Sequence, residues 1–122
     1  METKFNVGDM VYACEAGLKF VIYAPIYSIE ITEEVFGLEN LNLENERRVY
    51  KELHQNFDEQ RYINNHTKKA TIVTYVFKIQ DNLIKIPEWI YMHSTKTNEV
   101  TPMFPLVFST KEELDKFFTV LK

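Results

Sequence analysis

The three arginines of the chain, Arg47, Arg48 and Arg61, lie within one short stretch of the sequence. A guanidinium group bonds two phosphate oxygens at once, which makes arginine the preferred partner of compact anions. In a chain with a formal net charge of -4 at pH 7, this concentration of arginines points to a phosphate-binding site. The alternative is a solvated helix face on which Arg48 and Glu52 form a favourable i, i+4 pair. We predict phosphate contacts from Arg61 first, then from Arg48 and Arg47, with Lys96 as a lesser candidate.

A second group of side chains that suits a nucleotide lies between residues 89 and 104. A purine is held by a flat apolar face against its ring and by an amide or backbone group at its edge. The segment offers aromatic faces, an amide and a hydroxyl group, and we predict base and ribose contacts from Phe104, Trp89, Asn98 and Thr95. The alternative is that Trp89 and Phe104 pack in the core or in an interface.

The residue types that usually carry catalysis have no recognisable spacing in this chain. The single cysteine, Cys14, has no local signature linking it to a histidine, so we interpret it as a small buried residue of a strand. No motif has the ligand spacing of a zinc site. The carboxylate pairs 33–34 and 58–59 flank predicted loops, and the pair 112–113 lies in the first turn of a predicted helix. We predict that the protein is not an enzyme and holds neither a metal nor another cofactor.

Length and composition restrict the class of protein. The chain has 122 residues, of which 45% are hydrophobic and 26% are charged, so we predict a single domain over residues 1–122. The acidic balance argues against DNA or RNA as a partner, because proteins that bind nucleic acid usually carry a basic excess. No apolar run approaches the roughly 20 residues that span a bilayer, and no signal peptide is recognised. These features predict a cytoplasmic protein with no membrane partner.

Period-two hydrophobic patterns rich in β-branched and aromatic residues indicate strands. They predict strands over 10–13, 18–32, 70–80, 83–86, 89–93 and 106–108, with a bend or edge position at Pro25. Beyond Pro25 the alternation directs Tyr27, Ile29 and Ile31 toward the core. The polar segment 94–105 is predicted to be a long loop.

Helical periodicity predicts two helices, one in the middle of the chain and one at its end. The first begins at the N-cap Asn42 and runs to about Phe57, with a break expected at 64–65. The second begins with Ser109 and Glu112 as a capping box and carries an apolar stripe at positions 114, 117, 118 and 121. The element order predicts an α+β fold: an antiparallel β-sheet or a partly open barrel with a central inserted helix and a C-terminal helix.

Both ends of the chain resemble short motifs of phage proteins. Residues 4–12, K-F-N-V-G-D-M-V-Y, resemble the opening of small phage-encoded β-barrel proteins, and residues 107–114, V-F-S-T-K-E-E-L, resemble their ending. With a helical insertion after the first strands, the whole chain resembles the first described type of phage anti-Thoeris protein.

The resemblance to the anti-Thoeris family implies a function. Proteins of that family sequester the cyclic ADP-ribose isomers made by TIR-domain sensors, so that the downstream effector is not activated. The resemblance therefore implies a phage-encoded anti-defence protein in the cytoplasm of an infected bacterial host, which binds its ligand without degrading it. It also implies a homodimer or higher homo-oligomer with ligand pockets near the protomer interface. No short ligand motif of the family can be aligned, so the predicted site residues rest on their own chemistry.

Three alternative functions remain open at the level of the sequence. The first is an inhibitor that binds a host defence protein directly, as anti-CRISPR proteins do, because an acidic surface with exposed aromatics would serve that equally well. The second is an enzyme that cleaves the same cyclic signal. The third is a virion decoration protein, for which contacts between subunits would be the whole function.

Overall fold

The computed structural model describes residues 3–17 and 19–121, apart from the side chains of residues 119–121. Eight strands are found in this part of the chain: β1 (Met10–Cys14), β2 (Val21–Pro25), β3 (Ser28–Phe36), β4 (Lys68–Ile79), β5 (Asn82–Pro87), β6 (Trp89–Ser94), β7 (Glu99–Pro105) and β8 (Val107–Phe108). Its helices are α1 (Leu43–Glu52), α2 (Glu59–His66) and α3 (Lys111–Leu121), and a short 3-10 helix covers Leu38–Asn40.

The strands form three antiparallel sheets, with the orders β2-β1-β8, β3-β4-β5 and β6-β7. None of these sheets closes into a barrel, so of the two predicted architectures the antiparallel sheet is the one observed. The predicted α+β class with a C-terminal helix is confirmed. Among the described residues, no helix combines the length and the apolar character needed to cross a bilayer.

The chain divides into two compact units, which we describe separately. Unit 1 consists of Met1–Thr32, Thr71–Tyr91 and Pro102–Lys122, and unit 2 consists of Glu33–Ala70 and Met92–Thr101. Strands β3, β4, β6 and β7 contribute residues to both units.

Unit 1 contains the apolar core of the described chain. In the β1–β2 pair, Val11 lies opposite Ala24, and both side chains are buried. Strand β4 is buried on both of its faces, because Tyr75 and Phe77 point one way, Val76 points the other, and each is at most 2% exposed. The near-continuous apolar run of this strand is typical of a strand covered on both sides.

Helix α3 packs an aromatic face against unit 1. Leu114 is buried, and the Phe117 ring lies 5.4 Å from the Phe108 ring, centre to centre. The cap is shifted by one residue from the prediction, since the Glu113 N–H donates to the Thr110 hydroxyl oxygen at 3.2 Å. Three of the four predicted stripe positions, 114, 117 and 118, belong to or pack against the core, and the side chain at 121 lies outside the described residues.

Unit 2 has no buried apolar side chain among its described residues. Its buried positions are Gly37 and Thr67. Gly37 has a φ of 95°, and a Cβ atom there would lie 2.6 Å from both the His66 carbonyl oxygen and the His93 ring. Close packing of the backbone therefore requires glycine at this position.

The central helical region contains two helices instead of one continuous helix over 42–57. The N-cap Asn42 is confirmed, because its side-chain oxygen accepts from the Asn45 N–H at 3.2 Å. Helix α1 ends early, however, and His54 adopts a left-handed φ of 55°. Asp58 then caps a new helix by accepting the Arg61 N–H at 3.1 Å. The predicted break at 64–65 is wrong, since both residues lie inside α2.

The predicted inward face of β3 is also wrong. Tyr27 and Ile31 are 48% and 47% exposed, whereas Ile26 is 1% exposed. The N–H of Ile26 donates to the Asp9 carbonyl oxygen at 3.0 Å, and this contact holds Ile26 inward between β2 and β3. The residues that follow therefore do not keep the inward positions predicted from the sequence pattern. Of the three predicted residues, only Ile29 packs against the core.

The segment 94–105, predicted to be a loop, is mostly strand. A four-residue turn at 95–98 is followed by β7, which pairs with β6. Pro102 and Pro105 disfavour a strand locally, and the hydrogen bonds with the neighbouring strand outweigh that preference.

Candidate functional site

A cleft with a volume of about 470 Å³ lies within unit 2, between α1, α2 and the segment that joins them. It is lined by polar and aromatic side chains from these three parts: Glu46, Tyr50, Asn56, Phe57, Asp58, Arg61, Tyr62, Asn65 and His66. Two long-range contacts hold the two helices together. The Asn42 N–H donates to the Tyr62 hydroxyl oxygen at 3.1 Å, and Arg47 forms an ion pair with Glu59 at 2.6 Å.

The aromatic rings of the cleft form a chain of contacts. The ring centres of Tyr50 and Phe57 are 5.0 Å apart, those of Phe57 and Tyr62 are 5.7 Å apart, and those of Tyr62 and His66 are 4.3 Å apart. We call these four residues the ring ladder. The His66 Nδ1–H donates to the Tyr62 carbonyl oxygen at 2.8 Å, which fixes the last ring of the ladder. Neighbouring rings are tilted by 33°, 59° and 41°, so a planar heterocycle can stack on the face of one ring of the ladder and not on all four.

The three arginines differ in the partners of their guanidinium groups. The Arg47 guanidinium is paired with Glu59, and the Arg48 guanidinium donates to the Asn45 side-chain oxygen at 2.7 Å. Arg48 lines a second, shallower depression of about 310 Å³ near the start of α1. For the Arg61 guanidinium, no hydrogen bond or ion pair is found among the residues that the structure describes. Arg61 is therefore the arginine whose charge is available in the cleft.

Asn98 has a structural role in unit 2. Its side-chain nitrogen donates to the Thr67 carbonyl at 2.8 Å, and its side-chain oxygen accepts from His93 Nε2–H at 2.8 Å. These contacts attach the β6–β7 turn to the end of α2, where the cleft residues Asn65 and His66 lie. Asn98 tolerates a φ of 55° in this turn, as asparagine often does. The amide predicted to read a base thus supports the helix that lines the cleft.

The remaining predicted contacts do not line the cleft. Thr95 and Lys96 lie in the β6–β7 turn of unit 2. Trp89 and Phe104 belong to unit 1, where the Phe104 ring makes an edge contact with Phe117 at 6.0 Å between ring centres. Phe104 thus packs against another aromatic side chain, in line with the alternative that it is a core or interface residue.

Several cleft residues were not identified as site residues from the sequence. Tyr50, Phe57 and Tyr62 line the cleft and are absent from the predicted site residues. The available signal was the i, i+4 pair of Tyr62 and His66 behind the N-cap Asp58. That pair places two rings on one face of a short polar helix.

Other reactive or titratable groups are buried or hydrogen-bonded within the fold. Cys14 is fully buried, and burial raises the pKa of its thiol, which makes it a poor nucleophile. In unit 1 the Tyr75 hydroxyl donates to Glu88 at 2.5 Å and accepts the Phe5 N–H at 3.3 Å. Within the described part of the chain, no group of three or more metal-ligating side chains is placed to hold an ion.

A comparison of the chain with protein-family models, with curated proteins and with solved structures found no match. Function is therefore inferred from the cleft and from the chemistry of its side chains.

Proposed function

We propose that the protein binds a cyclic ADP-ribose isomer in the cleft between α1 and α2 and sequesters it without degrading it. In this proposal the protein is phage-encoded and prevents a TIR-derived signal from reaching its effector in the infected cell. The observation that carries the proposal is the Arg61 guanidinium, which has no side-chain partner among the described residues and lies in the same cleft as the ring ladder.

Each part of such a ligand has a suitable partner in the cleft. The guanidinium of Arg61 suits a pyrophosphate, because its fork of N–H groups bonds two oxygens. The ring ladder suits the flat faces of a purine. The side-chain amides of Asn56 and Asn65 offer donors and acceptors for ribose hydroxyl groups.

The size of the cleft is compatible with the affinity that sequestration requires. Nanomolar binding corresponds to about -12 kcal/mol. A ligand of about 35 non-hydrogen atoms, at roughly -0.3 kcal/mol per atom, supplies about -11 kcal/mol. Most of the ligand must therefore be enclosed, and a volume of about 470 Å³ falls within the roughly 300–1,000 Å³ of small-molecule sites. A second protomer that covers the cleft would increase the enclosed area, and so a homo-oligomer is part of the proposal.

Release of bound ligand tests the proposal directly. The purified protein is incubated with each cyclic ADP-ribose isomer, separated from free ligand and heated, and the released material is analysed by chromatography. We expect depletion of the free ligand followed by its release in intact form. Altered ligand would indicate an enzyme, and a ligand that is never depleted would overturn the proposal and favour a protein-binding inhibitor or a virion protein.

The Arg61→Ala variant tests whether the cleft is the site. We expect binding to weaken by about 1.5–3 kcal/mol, because a charge-assisted hydrogen bond to phosphate is lost. The cap of α2 uses the backbone N–H of residue 61, so the variant keeps that contact. Arg48→Ala is the matched control, because Arg48 does not line this cleft and its guanidinium bonds Asn45 of the same helix. Equal affinities of the two variants and the unaltered protein, measured by calorimetry, would remove Arg61 from the site.

A further inference from the structure

The cleft contains more negative than positive charge. Two carboxylates, Glu46 and Asp58, line it together with the single guanidinium of Arg61. No ion pair of either carboxylate is found among the described residues. A ligand that carries only phosphate charge would meet one favourable and two unfavourable charges in the cleft. This charge balance is unsuited to a simple polyphosphate.

Both carboxylates are fixed by secondary structure. Glu46 and Tyr50 are four residues apart on α1, so their side chains share one face of the helix. The Asp58 carboxylate accepts the Arg61 N–H at 3.1 Å as the N-cap of α2. The Asp58 carboxylate takes one N–H of this helix end, and its negative charge disfavours a ligand phosphate beside it. Arg61 is left as the anion-binding group.

The ring ladder adds a preference for positive charge. The faces of tyrosine and phenylalanine rings carry negative potential, and a cation within about 6 Å of the ring centre is attracted to it. Aromatic faces combined with carboxylates form the usual surroundings of a cationic ligand group. Tyr50, Phe57 and Tyr62 provide such faces beside Glu46 and Asp58.

We propose that the cleft selects a ligand in which a positively charged heterocycle is joined to a phosphate group. The heterocycle stacks on the ring ladder beside Glu46 and Asp58, and the phosphate binds Arg61. This inference rests on the proposed function and narrows it. Among cyclic ADP-ribose isomers, one closed through a ring nitrogen of adenine carries a cationic purine, whereas one closed between its two riboses carries a neutral purine. The cleft favours the first kind.

A pair of probes that differ in the charge of one ring tests this inference. Oxidised nicotinamide mononucleotide has a cationic ring and one phosphate, and its reduced form has a neutral ring of nearly the same size. We expect calorimetry to show at least a tenfold tighter binding of the oxidised form. Equal binding of the two forms, or no binding of either, would overturn the inference.

The Glu46→Gln variant tests the cause of the preference. It removes the charge and keeps the shape, so we expect the ratio of the two affinities to fall about threefold or more. Glu52→Gln is the matched control, because Glu52 lies on the same helix and does not line the cleft. Thermal unfolding of both variants checks that α1 is intact. A ratio that Glu46→Gln leaves unchanged would contradict the assignment of Glu46.

The two proposals can fail separately. If the cyclic isomers bind and the oxidised probe has no advantage over the reduced probe, the preference for a cationic ring is wrong and the proposed function stands. If the oxidised probe is preferred and every cyclic isomer is rejected, the proposed function is wrong, and the cleft binds another phosphate ester with a cationic ring.

Discussion

Units 1 and 2 are stabilised in different ways. The buried apolar side chains of the described chain all belong to unit 1, and they come from several strands and from α3. Unit 2 has none, and its described contacts are helix caps, an ion pair, the Asn98 contacts and the ring ladder. The fold is therefore stabilised mainly in unit 1, whereas the candidate site lies in unit 2. Binding sites often occur in regions of low local stability, where ligand contacts complete the structure.

The largest expected effect is a core substitution in unit 1. Phe77 is fully buried, so Phe77→Ala should reduce the free energy of unfolding by about 3–5 kcal/mol through lost burial and the cavity it leaves. The matched change in unit 2 is Leu53→Ala, at a side chain that is 59% exposed, and there we expect less than about 1 kcal/mol. Chemical denaturation measures both. Equal losses would contradict the contrast between the units.

The next effect concerns Tyr75, whose hydroxyl contacts Glu88 and the Phe5 N–H. Tyr75→Phe leaves two polar groups without this partner and should cost about 1–3 kcal/mol near neutral pH. Burial, followed by the hydrogen bond to Glu88, raises the pKa of Tyr75 well above its usual value of 10.0.

This raised pKa predicts a loss of stability at alkaline pH. The folded protein keeps the Tyr75 proton where the unfolded chain has released it, so this stabilisation is complete below about pH 10 and declines as the pH rises further. One such group gives a slope of at most about 1.4 kcal/mol per pH unit. We expect the free energy of unfolding, measured by denaturation from about pH 8 to about pH 11, to decline less steeply for Tyr75→Phe than for the unaltered protein. Parallel curves would show that Tyr75 does not cause the decline.

A smaller and more local effect is expected from Asn98→Ala. The variant loses the contacts with Thr67 and His93 and strains a left-handed residue, which together should cost about 1–2 kcal/mol in unit 2. Asn98→Gly is the control, because it loses the same side chain and relieves the backbone strain. Hydrogen exchange should become faster in α2 and stay unchanged in residues 71–79 of β4. Faster exchange in both places would mean that the units unfold together.

The smallest effect is expected at the exposed ion pair between the helices. Arg47 and Glu59 are 56% and 43% exposed at the side chain, so Arg47→Ala should cost less than about 1 kcal/mol. Most of this difference should disappear in about 1 M salt, where screening is strong. Thermal unfolding at low and high salt measures it. A large loss that salt does not reduce would assign the pair a structural role in unit 2.

Local patterns account for the parts of the fold that were predicted correctly. Strands β1, β4, β5 and β6 carry β-branched and aromatic runs bounded by turn residues, and α3 carries a cap and an apolar stripe. These signals act over a few residues and need no distant partner. Strand β7 and residues 33–36 of β3 were not predicted as strands, because these segments depend on pairing with neighbouring strands.

The residues that line the candidate cleft were predicted only in part, for the same reason. Arg61 was ranked first among the phosphate ligands, and it does line the cleft. The role of Asn98 depends on Thr67, which is far from it in sequence, so no local pattern could reveal it. The rings of Tyr50 and Phe57 meet only because α1 ends at Glu52 and the chain turns at His54.

The α+β class and the concentration of arginines in the middle of the chain follow from composition and periodicity, which are local properties of the sequence. Which arginine offers its guanidinium to the cleft depends on the folded structure. Glu59 lies twelve residues from Arg47 and neutralises it across two helices, whereas Arg61 faces a cleft. Whether a charged side chain is neutralised depends on the groups that lie beside it in the folded structure, and the packing of the whole unit determines those groups.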